Sequence, residues 1–141
     1  MCFVIGQVVK KSDADVVTVV GAGITLAEAL KAYEKLKKEG VSVTVVDLFS
    51  VKPVDRATLV EAVTRTKGRL LTVEDHYEEG GLGEAVLGAM LAPGEGGALA
   101  VPLHYRRLAV RKLSRSAKPA ELLHMHEIDA DAIEKAVRAL I

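Results

Sequence analysis

Three apolar runs, separated from one another by helical patterns, constrain the fold most strongly. They are Val16–Val20, Val41–Val46 and Leu70–Val73. The first run is continuous rather than alternating, which is typical of a strand buried on both faces. A helix between two neighbouring strands requires those strands to be parallel and joined by a right-handed crossover. The sequence therefore predicts a mostly parallel sheet that is covered by helices.

The first strand is predicted at Phe3–Val9, and its connection to the second strand is too short to cross over a sheet. If these two strands pair, we expect them to be antiparallel. The last strand is predicted to end at Leu108–Val110, after a flexible tip at Pro93–Gly97. The whole pattern reads β-β-α-β-α-β-α-β-α-α. It predicts a three-layer α/β/α sandwich with a five-stranded, mixed, mostly parallel sheet whose first strand is antiparallel.

Helix starts are marked by residues that can cap them. Thr25 and Glu28 have the spacing of a capping box, in which the Thr25 side chain accepts from the Glu28 amide. Asp55 and Asp129 precede later helices, and we predict that each caps its helix. A short helix is predicted from Pro119, because proline fits the first helical turn.

Composition excludes several classes of protein. With 141 residues, half of them hydrophobic, the chain is predicted to form a single domain over residues 1–141. Its nineteen basic residues balance nineteen acidic ones, so it has no general electrostatic attraction for nucleic acid or anionic membranes. No apolar run approaches the ~20 residues of a membrane span. The single cysteine, Cys2, cannot form an internal disulfide, which favours a reducing compartment.

One candidate site is the glycine turn that follows the second strand. Gly21 and Gly23, with Asp47 ending the next strand, imitate a dinucleotide-binding pattern in which glycines and helix amides hold a pyrophosphate. Leu26 stands where the third glycine would be. A small nucleotide- or anion-binding module built on the Gly21–Thr25 turn is therefore one hypothesis. A tight turn whose glycines serve only the backbone is the other, and we favour it.

A second candidate is Glu74-Asp75-His76, predicted to lie where the fourth strand gives way to a helix starting near Gly81. Clustered ionisable groups at a strand end shift one another's protonation, so an acid/base cluster is one interpretation. Polar groups that contact another domain are the alternative. We favour the alternative because no nucleophile or partner base is identifiable nearby. The sequence indicates no catalytic, cofactor-binding or metal-binding residue. The candidates for an anion site or a domain interface are Gly21, Gly23, Thr25, Glu74, Asp75 and His76.

A basic run begins in the predicted fifth strand and continues after it, and Tyr105 is the one aromatic residue beside it. Nucleic-acid binding is poorly supported because the chain is neutral and aromatic stacking groups are scarce. A solvated face or a surface that meets an acidic partner is the better interpretation. The run consists of Arg106, Arg107, Arg111, Lys112, Arg115 and Lys118.

The chain contains no asparagine and no Gly-Asp-Gly. Thiamine-diphosphate enzymes hold the diphosphate and Mg²⁺ with a Gly-Asp-Gly followed by an asparagine, which supply oxygen ligands. This chain cannot hold that cofactor by that route.

That absence bears on a family resemblance. The sequence resembles the C-terminal (third) domain of transketolases, most nearly those of the animal type and the transketolase-like proteins. The resemblance covers nearly the whole chain in separate blocks, in order. The matching blocks are Val19–Ala29, Lys52–Arg56, Thr66–Tyr77, Glu79–Val86, Arg115–Leu123 and Ile128–Ile133.

The resemblance implies a parent enzyme of the pentose phosphate pathway that moves two-carbon ketol units between sugar phosphates. Such an enzyme uses thiamine diphosphate and Mg²⁺ and is a homodimer in the cytoplasm. Its first two domains hold the cofactor, and its third domain, a mixed five-stranded sheet between helices, braces the second domain and extends the dimer contact. This chain alone is then expected to be inactive. It departs from the family at Ala117, where the motif has glycine, and at His126-Glu127, where it has phenylalanine-glycine.

Overall fold

The computed structural model describes residues 5–92 and 98–141. The flexible tip predicted at Pro93–Gly97, and the start of the predicted first strand at Phe3, lie outside these residues. The elements are β1 (Gln7–Lys10), β2 (Val17–Gly21), α1 (Ile24–Lys38), β3 (Val43–Asp47), α2 (Arg56–Arg65), β4 (Arg69–Tyr77), α3 (Leu82–Leu91), β5 (His104–Val110), α4 (Pro119–Met125) and α5 (Ala130–Arg138).

The five strands form one sheet in the order β1-β3-β2-β4-β5. Strands β2, β3, β4 and β5 are parallel, and β1 is antiparallel to β3, so the predicted fold class is confirmed. The first two strands do not pair with each other, because β1 pairs with β3. Both sides of β2 are occupied by parallel neighbours, which leaves the outer side of β3 for β1.

Two hydrophobic clusters hold the layers together, one on each face of the sheet. On one face, Leu36 of α1 and Ile133 of α5 pack with strand residues such as Val19. On the other, Leu59 of α2 and Val86 of α3 pack in a separate cluster. Each of these side chains is at most 1% exposed, and full burial of one contributes about 1.5–3 kcal/mol. The helices are therefore fixed to the sheet by ordinary apolar burial.

Strand β4 is longer than predicted. It runs from Arg69 to Tyr77 rather than ending at Val73, because β5 continues to pair with it as far as Tyr77, opposite Val110. The pairing register shifts between Val73 and Tyr77. Glu74, Asp75 and His76 therefore lie within the strand and not in a loop before the helix.

The capping box predicted at Thr25 and Glu28 was wrong. Helix α1 begins at Ile24, and its N-cap, Gly23, makes no side-chain cap bond. The Glu28 carboxylate instead accepts from the Ala130 amide of α5 at 3.0 Å and contacts Lys31 Nζ at 2.5 Å. A tertiary partner replaced the local one, which sequence spacing alone could not reveal.

The other helix starts follow the sequence. Asp55 accepts from the Thr58 amide at 3.1 Å, and Asp129 accepts from the Ala132 amide at 2.9 Å, so both predicted N-caps are confirmed. Pro119 occupies the first position of α4, as expected.

The turn between α4 and α5 carries one departure from the family motif. His126 is the C-cap of α4, with its side chain nearly buried and Nε2 2.9 Å from Ser114 Oγ. Glu127 follows with a φ of 55°. This left-handed conformation just after a helix favours glycine, and other residues adopt it at some energetic cost. The turn therefore keeps the glycine conformation although the glycine is absent.

The link between α1 and α5 gives a stability prediction. Replacing Glu28 with alanine leaves the buried Ala130 amide without its acceptor, and we expect a loss of about 1–3 kcal/mol in the free energy of unfolding. Urea unfolding measures it. Glu28→Gln keeps an acceptor oxygen and should lose less. The matched control is Glu61→Ala, which removes an exposed ion pair with Lys11 and should change stability by under about 0.5 kcal/mol. Equal effects of Glu28→Ala and Glu61→Ala would contradict the cap.

Candidate functional site

The carboxyl ends of four strands meet at one edge of the sheet, because β2, β3, β4 and β5 are parallel. In open α/β sheets this is the edge at which sites are usually built. We call it the carboxyl edge. It contains the residues that end or follow these strands, and all six candidates from the sequence lie on it or beside it.

The glycine turn at the carboxyl edge is tightly packed, and its hydrogen bonds are made within the fold. A Cβ at Gly21 would lie 3.1 Å from the Leu26 amide nitrogen, and Gly23 has a φ of 58°. The Thr25 hydroxyl is 1% exposed, accepts from the Ala22 amide at 3.1 Å and lies 2.9 Å from the Val73 carbonyl, to which it donates. The glycines thus let α1 approach β2, and the threonine ties the turn to β4.

Asp47 ends β3 beside Gly21, with which it is in register. Its Oδ1 atom is buried and has no hydrogen-bond partner among the described residues. Burial raises the pKa of Asp47 above its ordinary value, because the charged form loses hydration that no donor replaces. The topology therefore brings the glycine turn and Asp47 together, as the dinucleotide-like pattern suggested. The Thr25 hydroxyl of that turn, however, already has protein partners.

Glu74 faces inward and joins β4 to α3. It is 2% exposed, and its carboxylate oxygens accept from the Gly83 amide at 3.2 and 3.3 Å, in the first turn of α3. A Cβ at Gly81 would lie 2.0 Å from Glu74 Oε2, so this position requires glycine. Burial raises the Glu74 pKa, while the Gly83 amide and the Arg107 charge oppose the rise. Glu74 is thus a helix cap supplied by a neighbouring strand.

The three polar residues of β4 differ in their exposure and in their partners. Asp75 and His76 are exposed, whereas Glu74 is buried and its carboxylate accepts a hydrogen bond from an amide of α3. His76 Nδ1 lies 2.7 Å from the Tyr77 carbonyl oxygen, and no hydrogen bond or ion pair holds the Asp75 side chain within the described part of the chain. The exposed pair is therefore available to a partner, and Glu74 is not.

A depression of about 370 Å³ brings four of the six candidates to one place. Thr25, Glu74, Asp75 and His76 line it, whereas Gly21 and Gly23 do not. Asp75 also lines a neighbouring depression of about 270 Å³, which is largely apolar and includes Ile24. Asp75 thus separates two adjacent hollows at the carboxyl edge. The lining residues of the first hollow are Ala22, Thr25, Val51, Glu74, Asp75, His76, Gly80, Gly81 and Leu82.

Sequence reasoning missed the exposed apolar residues of this edge. In the described residues, eight large hydrophobic side chains are exposed, and five of them end or follow β2, β3, β4 or β5. Phe49 and Val51 are 54% and 51% exposed. Three apolar side chains in the predicted loop Asp47–Pro53 were the available signal, and of these Leu48 is buried. The five are Ile24, Phe49, Val51, Tyr77 and Leu113.

In residues 5–92 and 98–141, no group of three or more His, Cys, Asp or Glu side chains could hold a metal ion. None of the helices in these ranges has the length and apolarity needed to cross a membrane.

Comparison with known families agrees with this geometry. A family model described as "Transketolase, C-terminal domain" matches residues 6–133.

The chain belongs to the transketolase C-terminal domain family.

Relatives of this transketolase domain are similar along nearly its whole length. Human "Transketolase" is 54% identical over 141 residues, which is 99% of this chain and 22% of the human protein. "Transketolase-like protein 2" of Mus musculus is 46% identical over 138 residues, 96% of this chain and 21% of that protein. The chain thus spans about a fifth of the length of the curated relatives it matches.

Solved structures share the transketolase fold. A chain described as "Split gene transketolase, inactive beta4 tetramer" is 33% identical, with a TM-score of 0.81 over 96% of this chain and 41% of that one. A transketolase mutant from Pichia stipitis, R525L, is 16% identical with a TM-score of 0.69, over 96% of this chain and 18% of that one, which shows the fold alone. Family membership does not favour the nucleotide-binding hypothesis. The turn gives the same indication, because the Thr25 hydroxyl already bonds the Ala22 amide and the Val73 carbonyl.

Two glycines of α3 test the contact between Glu74 and this helix. A Cβ at Gly83 would lie 2.7–2.8 Å from side-chain atoms of Arg107, Tyr105 and Glu74, whereas one at Gly88 would meet no atom within 4 Å. Gly83→Ala should therefore lower the free energy of unfolding by about 1–3 kcal/mol. Gly88→Ala, the matched control in the same helix, should raise it by about 0.5–1 kcal/mol. Urea unfolding measures both, and effects of the same sign would contradict the packing.

The unpaired carboxylate of Asp47 gives a pH prediction. Because burial raises its pKa in the folded state, the folded chain binds this proton more tightly than the unfolded chain does. Stability is therefore lost as pH rises from the ordinary aspartate range through the raised pKa. Asp47→Asn should stabilise the chain at neutral pH, and its advantage should shrink as pH falls through that range. Thermal unfolding at several pH values measures the difference, and an advantage independent of pH would be the contrary result.

Proposed function

We propose that this chain is the structural part of a longer transketolase and braces the catalytic domains and the subunit contact. The whole enzyme transfers two-carbon ketol units between sugar phosphates, and the chain by itself is inactive. Family membership supports the parent activity, and the fifth of the relatives' length that the chain spans supports its being one part of that enzyme.

The observation that carries this proposal is the exposed apolar surface at the carboxyl edge. Exposed apolar side chains that cluster on one surface mark sites of contact with other proteins or domains. Here Val51 lines the same hollow as the exposed Asp75 and His76, and Ile24 lines the adjacent hollow with Asp75. Apolar residues with polar residues around them are the usual composition of a protein interface. The proposed contact therefore uses Ile24, Phe49, Val51 and Tyr77, together with Asp75 and His76.

The residues present do not fit thiamine diphosphate and Mg²⁺. The chain has no asparagine, and the described residues contain no group of acids and histidines that could hold a metal ion. Glu74, the most buried acid at the carboxyl edge, already accepts a hydrogen bond from the Gly83 amide. We therefore propose that other domains of the parent enzyme bind the diphosphate and the metal, and that this chain supplies no ligand to either.

The proposed partners are the other transketolase domains and a second subunit, as in a homodimer. One solved relative is described as an "inactive beta4 tetramer", that is, four copies of one chain, which supports the ability of transketolase chains to associate. A neutral charge argues against nucleic acid or an anionic membrane as the general partner. We place the enzyme in the cytoplasm, on the family's account and on the single cysteine.

The test uses the parent enzyme that contains this chain together with its catalytic domains. Phe49→Ser combined with Val51→Ser should weaken subunit association and lower ketol transfer, because two anchors lose their apolar contact. Burying one such side chain contributes about 1.5–3 kcal/mol, so the double variant should dissociate at roughly tenfold or more higher protein concentration. Sedimentation velocity and a sugar-phosphate transfer assay measure the two effects.

The matched control is Leu91→Ser. Leu91 is 76% exposed but ends α3, a helix that begins at the carboxyl edge and runs away from it, so association and transfer should not change. Unchanged association and transfer in the Phe49 and Val51 double variant would contradict the bracing role. Calorimetric binding of thiamine diphosphate to the isolated chain would contradict the assignment of the cofactor to other domains.

A further inference from the structure

We propose that the outer side of β5 and the adjoining helix α5 bind an acidic, extended segment of another polypeptide. This surface lies at the last strand of the sheet and is separate from the apolar residues used above, so the inference does not rest on the bracing role. We call it the β5–α5 surface. Three of its cations, Arg106, Arg111 and Lys135, line one cleft, and Lys112, Arg115 and Lys118 follow in the segment between β5 and α4.

The first observation is a local charge that the neutral total conceals. Residues 106–118 contain six basic side chains and no acidic one. The remainder of the chain has thirteen basic and nineteen acidic residues, so it is net negative. A concentrated field of one sign attracts ligands of the opposite sign and steers their approach.

The second observation is that most of these cations have no internal partner. Within the described part of the chain, Arg106, Lys112, Arg115 and Lys118 make no ion pair, and neither does Lys135 on α5. Other cations of α1 and α5 do have partners among the acids of the facing helix. The two examples are Lys35 with Asp131, and Arg138 with Glu39. The β5–α5 surface thus presents charge that the fold itself does not use.

The third observation is the open backbone edge of β5, the last strand of the sheet. The His104 amide donates to the Gly68 carbonyl at 2.8 Å, so the backbone groups of His104 and of every second residue after it face β4. Those of Tyr105 and Arg107 face outward, whereas Ala109 is 2% exposed and is already covered. The Arg107 carbonyl accepts from Arg111 Nη2 at 3.0 Å, so the Tyr105 amide and carbonyl and the Arg107 amide are the groups that can pair with an added strand.

The fourth observation is a cleft of about 160 Å³ beside this edge, on the α5 side. Its lining combines small apolar side chains with three cations and one acid. Side chains of an added strand would alternate between the two sides of the sheet, so every second one would enter this cleft. Acidic side chains there would meet Arg106 and Lys135, and a small apolar one would cover Leu108. The lining residues are Arg106, Leu108, Arg111, Glu127, Ala132, Lys135 and Ala136.

The chemistry of the surface favours a peptide over other anions. A phosphate group requires several converging donors, whereas Arg111 already pairs with Glu78 and the Glu127 carboxylate also lines the cleft. Single-stranded nucleic acid requires exposed aromatic rings on which bases can stack. The Tyr105 ring instead packs against the hydrophobic cluster that contains Leu59 and Val86, and its hydroxyl lies 2.7 Å from Thr72 Oγ1. A second copy of β5 would bring like charges together, which disfavours pairing between copies. An extended acidic segment satisfies the backbone edge, the cations and the cleft together.

The test is a titration of the ¹⁵N-labelled full chain with a short synthetic peptide in which glutamate and valine alternate. We expect saturable shifts of the Tyr105 and Arg107 amides that weaken as salt is added, because surface charges are screened. Combining Arg106→Glu with Lys135→Glu should raise the Kd about tenfold or more. Glu127→Gln, which removes the acid lining the cleft, should lower the Kd.

The controls separate this surface from non-specific attraction. A peptide alternating lysine and valine should not bind. Lys52→Glu, which reverses an exposed charge beyond β3 on the far side of β2 and β4, should leave the Kd unchanged. Should the double reversal disturb folding, the pair Arg106→Gln and Lys135→Gln tests the same residues without adding acids. Absence of saturable shifts, equal binding of the lysine peptide, or binding of inorganic phosphate or an RNA oligonucleotide in place of the peptide would overturn the proposal.

Discussion

Two buried carboxylates connect distant parts of the chain, and the positions of both surfaces depend on them. Glu28 on α1 accepts from the first amide of α5, and Glu74 on β4 accepts from an amide in the first turn of α3. Negative charge is stabilised at the N-terminus of a helix, where amides lack partners and the helix dipole is positive. Glu28 therefore joins two helices of the same layer, Glu74 joins the sheet to a helix, and the apolar clusters complete the packing.

Much of the fold follows from local sequence, and the rest depends on partners that sequence does not show. The order of elements and the caps at Asp55 and Asp129 rest on contacts within a few residues, which spacing reveals. The capping box failed because Glu28 has a partner 102 residues away. The end of β4 was missed because polar residues after Val73 resemble a loop until β5 pairs with them. The partner of the first strand was missed because it depends on which strand edge remains free.

The candidate site shows the same division between what is local and what is not. Sequence reasoning selects polar residues because they carry chemistry. The Thr25 hydroxyl, however, donates to the Val73 carbonyl, and the Glu74 carboxylate accepts from the Gly83 amide, so both are used inside the fold. Phe49 and Val51 attract no attention in a sequence, because apolar residues are expected to be buried. Only the structure shows that they are not, and that similar residues follow the ends of neighbouring strands. Exposure is a tertiary property, and the composition of a segment does not determine it.

A neutral chain whose described residues offer no group of metal ligands can still contribute to an enzyme through its surfaces. The apolar residues of the carboxyl edge lose contact with water when another domain covers them, which favours a permanent contact. The β5–α5 surface instead offers charge and backbone groups, whose attraction to a partner is weakened by salt and whose net strength is modest in water. The two surfaces therefore suit different kinds of association, one that completes the assembly and one that can be made and broken.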